Sequence, residues 1–206
     1  MKKKILAGIL FIVFIFWTVL VKMDLLVKFD EFFYKLITSS MNNTLTTIFK
    51  IITFFGSTVF MIIFALVLFI YFIFKKKNII SYLTSSCLII STILNNVIKI
   101  IIRRSRPDVI KLVTETSFSY PSGHTMASVS IYGIIIYLLL NSNINKTVKY
   151  ISSVGLSLLT LLIGISRIYL GAHYTSDIIG AMLVSTIWLF IFTSIIEDKK
   201  WLKKEN

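Results

Sequence analysis

Three short polar blocks interrupt a chain otherwise made of long apolar runs, and they contain both of its histidines. In order they are Lys99 through Arg106-Pro107, then Pro121-Ser122-Gly123-His124, then Ser166-Arg167 through His173 to Asp177. Arginine offers forked donors that match phosphate oxygens, and lysine offers a point charge. Lys99 and Arg106 are seven positions apart, two helical turns, so a helix ending near Arg104 can present both to one site. Pro107 sets that end, because the residue before a proline avoids helical geometry.

The second block reads as a helix start. Ser122 or Thr125 can cap it, Gly123 allows close backbone approach, and the free amide groups of a first turn bind anions. His124 stands where that anion would lie. In the third block, His173 and Asp177 are four positions apart, so a helix starting by Thr175 or Ser176 puts the carboxylate within reach of the imidazole. A carboxylate on Nδ1–H fixes the tautomer and leaves Nε2 free as a nucleophile. Cations to hold a phosphate, an imidazole to attack it and a second imidazole beside it are the parts needed to cleave a phosphate ester.

Each block also has a plain structural explanation. Lys99 can snorkel while Arg103, Arg104 and Arg106 meet lipid headgroups; a capped helix can carry an incidental histidine; Asp177 can simply complement a helix dipole. Their occurrence together favours chemistry, because ionisable groups at a membrane boundary are costly and usually functional. Two histidines and an aspartate could also ligate a metal. No further carboxylate cluster accompanies them, and the cations nearby would repel one, so no metal and no cofactor is expected.

The elements that must position these residues are membrane helices. The chain has 206 residues, is 56% hydrophobic and has a mean hydropathy of +0.87, well above the roughly 45–50% apolar content of ordinary domains. We read one all-α, polytopic membrane domain over residues 1–206, with the motif-bearing core at 99–177. A net charge of +13 could point to nucleic acid, but only 15% of residues are charged and most lysines flank apolar runs, so no nucleic-acid partner is expected. Cys87 is the sole cysteine, which excludes an intrachain disulfide.

Six segments can span, near Ile5–Val21, Ile51–Phe74, Ile79–Ile102, Thr125–Leu140, Val148–Ile168 and Ile178–Ile196. Lys2–Lys4 followed by Ile5–Val21 resembles a secretory signal, but the apolar run is long and lacks a small-residue cleavage site, so it is expected to stay as the first span. Between the first two spans, Phe29, Phe32, Phe33, Leu36 and Ile37 recur at helical spacing around Asp30, Glu31 and Lys35. This predicts a short amphipathic helix in the headgroup plane. With the amino terminus inside, Lys2–Lys4, Lys75–Lys77, Lys146, Lys149, Lys199, Lys200, Lys203 and Lys204 lie on the inner side, twelve of the 22 basic residues. The positive-inside rule then makes both termini cytoplasmic, and all three polar blocks fall on the outer face.

At this point the residues resemble a known family. The pattern K-x6-R-P, P-S-G-H and S-R-x5-H-x3-D is that of the type-2 phosphatidic acid phosphatase superfamily, and every fixed position is present. The resemblance implies a multi-pass cell-membrane hydrolase acting on a lipid phosphate such as phosphatidylglycerophosphate, undecaprenyl diphosphate or phosphatidate. It implies that His173 attacks phosphorus to give a phosphohistidine, that Asp177 orients it, and that His124 protonates the leaving oxygen. Lys99, Arg106 and Arg167 would hold the phosphoryl oxygens, with Ser122 and the Gly123 amide assisting. His173 must then be neutral and His124 protonated, which neighbouring cations and a bound phosphate respectively favour. The Phe29–Ile37 helix and the start of the fourth span would flank a lateral gate. A non-catalytic binder or transporter of lipid phosphates on the same fold, or vanadate haloperoxidase-like chemistry, are the alternatives. Choice of lipid and oligomeric state are left open.

Overall fold

The computed structural model of the chain describes residues 2–204, with side chains through Leu202, so the Lys203 and Lys204 charges counted above lie outside the described side chains. Among the described residues all regular structure is helical: α1 (Lys2–Lys22), α2 (Val27–Thr38), α3 (Asn43–Phe54), α4 (Thr58–Phe74), α5 (Asn78–Ile102), α6 (Gly123–Leu140), α7 (Lys146–Tyr169) and α8 (Thr175–Asp198), with a 3-10 turn at Trp201–Lys204. Five helices are each long and apolar enough to cross a membrane, and six spans result if α3 and α4 count as one broken element.

That break corrects the expected second span. Ile51–Phe74 is apolar throughout, but the chain bends by 43° between α3 and α4. Two capping side chains, one asparagine and one serine, explain it. Asn42 accepts from Leu45 N at 2.9 Å to start α3 early, and Ser57 accepts from Phe60 N at 3.3 Å to start α4 anew. Between them, a Cβ on Gly56 would lie 2.6 Å from Ile163 and 3.4 Å from the His124 Cβ, so the missing side chain lets the bend press against α6 and α7. The other five spans match their expected bounds to within a few residues.

Lipid gives helices no hydrophobic reason to associate, so their contacts rest on small residues and hydrogen bonds. Ser81, Thr84, Cys87 and Ser91 are buried along α5, and Ser130 of α6 bonds Ser91 Oγ at 2.7 Å. Large side chains such as Ile12, Phe16, Val59, Ile93 and Ile151 remain exposed on the outside of the bundle. The first and last long helices pack side by side: Trp17 Nε1 donates to Ser176 O at 3.0 Å, and Lys3 pairs with Glu197 at 2.6 Å. The described start of α1 and end of α8 therefore share one end of the bundle, and Ser176 marks the other.

The predicted amphipathic helix is present as α2, 12 residues long and too short to span. Its one buried side chain is Asp30, while Phe32 and Leu36 are exposed.

The turn from α7 to α8 depends on Gly171. Its φ is +69°, and a Cβ there would overlap the carbonyl of Ile110 in the long loop. By contrast, a methyl group added at Gly155 in mid-α7 would meet nothing within 4 Å. Gly171→Ala should therefore lose about 1–3 kcal/mol of stability, whereas Gly155→Ala should be neutral or gain about 0.5–1 kcal/mol. Thermal unfolding of both variants in detergent decides this; a Gly171→Ala midpoint at or above that of Gly155→Ala would contradict the assigned turn.

Candidate active site

The ends of four helices and the loop 103–122 converge at the Ser176 end of the bundle. α5 delivers Lys99, α6 carries His124 in its first turn, α7 carries Arg167 in its last turn, and α8 places Asp177 in its first turn. α5 stops at Ile102, close to the expected end, because Arg103 adopts a left-handed conformation (φ 53°) that turns the chain back across the bundle. A cavity of about 350 Å³ opens among these ends and is lined by Lys99, Arg106, Glu115, Gly123, His124 and His173. It continues along Met61 and Ile62 of α4 and along Ser91, Thr92 and Asn95 of α5.

The cations are held rather than free. Lys99 is buried, and its ammonium donates to Ser117 Oγ at 3.3 Å and to the Phe118 carbonyl. Arg106 donates from Nε to Ser117 O and from Nη1 to Ala172 O, both at 2.8 Å, which sets Nη1 3.4 Å from His173 Nε2. Arg167 is 2% exposed, donates to Thr53 Oγ1 at 2.9 Å and ion-pairs with Glu115. Its buried Nε has no partner among the described residues, a donor that an acceptor oxygen would satisfy.

His173 Nδ1 lies 3.3 Å from Asp177 Oδ2, as the four-residue spacing requires. The same oxygen accepts from Ser119 Oγ at 2.5 Å and from Tyr174 N at 3.0 Å, while Oδ1 accepts from Arg104 at 2.7 Å. Nδ1 thus faces the carboxylate and Nε2 faces Arg106. His124 lines the cavity, and its imidazole makes no hydrogen bond to a described residue. Gly123 lines the cavity too. Ser122 does not: it is fully buried and its hydroxyl accepts from Thr125 N at 3.5 Å as a helix cap, and from Thr125 Oγ1 at 3.1 Å.

All eight residues singled out in the sequence therefore gather at one end, seven of them with a cationic, imidazole, carboxylate or backbone group in or beside the cavity. Sequence reasoning missed Glu115, Ser119, Arg104 and Asp30. Glu115 had one signal, as the single acidic residue between Asp108 and Asp177. Its carboxylate sits on Arg167 and lies 3.6 Å from Arg106. Among the described residues no cluster of three or more His, Cys, Asp or Glu could hold a metal.

Burial holds the His173 imidazole neutral, pushing its pKa down to about 4; hydrogen bonding and attraction from Asp177 oppose this, and Arg167 and Arg106 reinforce it. A neutral imidazole with a carboxylate at Nδ1 can attack through Nε2, and an anionic phosphorus centre can be drawn to it by the three cations.

Three comparisons bear on this geometry. The profile of the PAP2 superfamily matches residues 78–201. Phosphatidylglycerophosphatase B of Bacillus subtilis (strain 168) is 36% identical over 118 residues, covering 55% of this chain and 56% of that protein. The match thus spans about half the length of that curated relative. A crystal structure described as the first transmembrane PAP2 type phosphatidylglycerolphosphate phosphatase from Bacillus subtilis superposes with a TM-score of 0.87 at 27% identity, over 96% of this chain and 98% of that one. Aquifex aeolicus LpxE superposes with a TM-score of 0.62 at 26% identity, over 78% of this chain and 92% of that one.

The depressed His173 pKa has a consequence for stability. Its folded value of about 4 lies below the ordinary 6.5, so the unfolded chain takes up the proton first as pH falls. The associated stability is complete above about pH 6.5 and is lost as pH falls from there towards 4. Thermal unfolding in detergent at pH 7.5 and pH 4.5 should show a smaller acid-induced drop in His173→Gln than in the wild type. An equal or larger drop in the variant would show that His173 is not held neutral.

Proposed function

The chain belongs to the PAP2 superfamily, and from that premise we propose that it is a membrane phosphatase that hydrolyses the phosphate or diphosphate ester of a lipid. The observation that carries this reading is the His173–Asp177 pair, its Nε2 turned to a cavity that Lys99 and Arg106 also line. A protein that only bound or carried lipid phosphates would use the cations but would have no need of a carboxylate at Nδ1. That pair therefore favours catalysis.

In the proposed reaction, Lys99, Arg106 and Arg167 engage the phosphoryl oxygens, together with the Gly123 amide at the start of α6; Ser122 serves by capping that helix. A phosphate seated there must share or replace the Glu115 carboxylate on Arg167 and Arg106. Nε2 of His173 forms a bond to phosphorus as the bond to the lipid oxygen breaks, and His124 gives its proton to that oxygen. Asp177 stabilises the cationic imidazole of the phosphohistidine. Water then attacks phosphorus, giving a proton back to His124, and the N–P bond breaks to release phosphate. The work is positioning and charge stabilisation, for which three cations suffice.

Sidedness and access belong to the same proposal. The lysine distribution supports cytoplasmic termini and an outer-facing site, with α2 lying at the headgroup level. The cavity that both histidines line runs between α4 and α5, past exposed Ile62 and Thr92, while a separate cavity of about 230 Å³ reaches His173 from beside α2. We assign the lateral route for the lipid to the α4–α5 cleft, which reaches both histidines at the start of α6; the cavity beside α2 is the second route, the one expected beside Phe29–Ile37.

The test is phosphate release by purified protein from phosphatidylglycerophosphate, phosphatidate and undecaprenyl diphosphate, each with and without chelator. Hydrolysis of at least one lipid, unaffected by chelator, is expected. His173→Ala should abolish turnover and leave no base-stable, acid-labile phosphoprotein after rapid quench. Turnover persisting in that variant would remove His173 as nucleophile. Lys99→Ala and Arg167→Ala should each lower kcat/KM by about 10- to 100-fold, as expected for a lost charged hydrogen bond of about 1.5–3 kcal/mol.

A further inference from the structure

Arg104 is a cation that the proposed mechanism does not use. It does not line the cavity that contains both histidines, and it lies within none of the three polar blocks' fixed positions. Its guanidinium is instead spread between two buried carboxylates on different helices. Nη1 donates to Asp177 Oδ1 and to Ser176 Oγ, both at 2.7 Å, and Nη2 donates to Asp30 Oδ2 at 2.9 Å. The ring of Tyr174 lies 4.0 Å below it. Asp30 is itself tied down: it accepts from Ser176 N at 2.8 Å and from Ser176 Oγ at 2.6 Å, capping the first turn of α8 from another helix. Asp30, Ser176 and Asp177 are 3%, 0% and 0% exposed, so water contributes little to holding any of them.

From this geometry we infer that Arg104, anchored by Asp30 of α2, is a positioning residue that sets the rotation and the effective charge of Asp177 for its work on His173. The inference rests on the reading of His173 as nucleophile. A carboxylate turns about its last torsion with little intrinsic preference. Fixing Oδ1 with Arg104 leaves Oδ2 as the oxygen that meets Nδ1, which Ser119 and Tyr174 N then keep in place. Arg104 also divides the charge of Asp177. An undivided carboxylate would pull a proton onto His173 and remove the nucleophile; a carboxylate with no charge to spare would not stabilise the imidazolium formed on attack. Asp30 sets the balance, because it takes up part of the Arg104 charge. α2 thereby becomes part of the catalytic apparatus, although it contributes nothing to the phosphate cradle.

Other charged and titratable groups facing His173 are common to every variant below: Arg167 of α7, His124 of α6, Lys99 of α5, Arg106 and Glu115 of the long loop, Tyr174 beside it, and Glu31, Tyr34 and Lys35 of α2. Changes in acid sensitivity between variants thus report the Asp30–Arg104–Asp177 set.

The experiment measures kcat, KM and the acid limb of kcat/KM for short-chain phosphatidate in detergent. The proteins are the wild type, Arg104→Gln, Arg104→Lys and Asp30→Asn, each checked by thermal unfolding. Arg104→Gln should lower kcat by about 10- to 100-fold with KM changed less than about threefold, and should move the acid limb to higher pH. Asp30→Asn should move it to lower pH, since Arg104 then leans wholly on Asp177. Arg104→Lys should recover part of kcat. Opposite movement of the limb is a signature that loosened packing cannot produce. Unchanged kcat in Arg104→Gln, a loss confined to KM, or limbs moving in the same direction would overturn the inference. Should Arg104→Gln fail to fold, Arg104→Lys and Asp30→Asn decide it, and wild-type kcat and acid limb in both would overturn it. A wild type that hydrolyses none of the three lipids of the phosphatase test would overturn that parent reading; an active wild type with unaltered variants overturns this one alone.

Discussion

Asp177 carries its charge to a place with no solvent exposure, and both of its oxygens are engaged there. Arg104 takes Oδ1; Ser119, Tyr174 N and His173 share Oδ2. An unpaired charge so deep would cost several kcal/mol, and the remedy reaches into four parts of the chain. It requires the αL turn at Arg103, which swings Arg104 inward, and the loop that returns Ser119. It also requires the turn at Gly171, and the docking of α2 that supplies Asp30. Most of this end of the bundle can be understood as what surrounds one carboxylate.

The same reasoning extends to the cavity. Around the cavity itself, Lys99, Arg106 and Arg167 bring three positive charges against the one negative charge of Glu115. The uncompensated charge faces the cavity rather than the carboxylate hub, because Arg104 is wholly engaged by Asp30 and Asp177. Such a balance attracts an anion, and Glu115 holds part of that place within the chain itself.

Much of this was legible in the amino-acid sequence. Regular spacing within helices carries Lys99 to one end, and the four-residue interval carries Asp177 to His173. Long apolar runs revealed five of the spans, because each is bounded by charges or caps. The sixth was misjudged since apolarity cannot report a bend: Ser57 and Gly56 looked like ordinary residues inside one long run. Arg104 and Asp30 were invisible, and Glu115 nearly so, for a different reason. Their partners lie 52, 73 and 146 residues away, and local patterns hold no record of such pairings. Asp30 in particular looked like the wet side of an amphipathic helix, yet it is the one residue of α2 that is buried.

The pairing of Asp30 with Ser176 also orders events in time. A ribosome emits α1 and α2 long before α8, and for most of synthesis Asp30 has neither Ser176 nor the Trp17 contact that docks α1 on the last long helix. The half-built protein holds lysine and arginine at the future site but has no His173 or Asp177. Only when α8 packs against α1 and α2 does His173 sit against Asp177 with Ser176 held by Asp30. A chain still lacking α8 thus lacks the imidazole–carboxylate pair, which is assembled in one step with closure of the bundle.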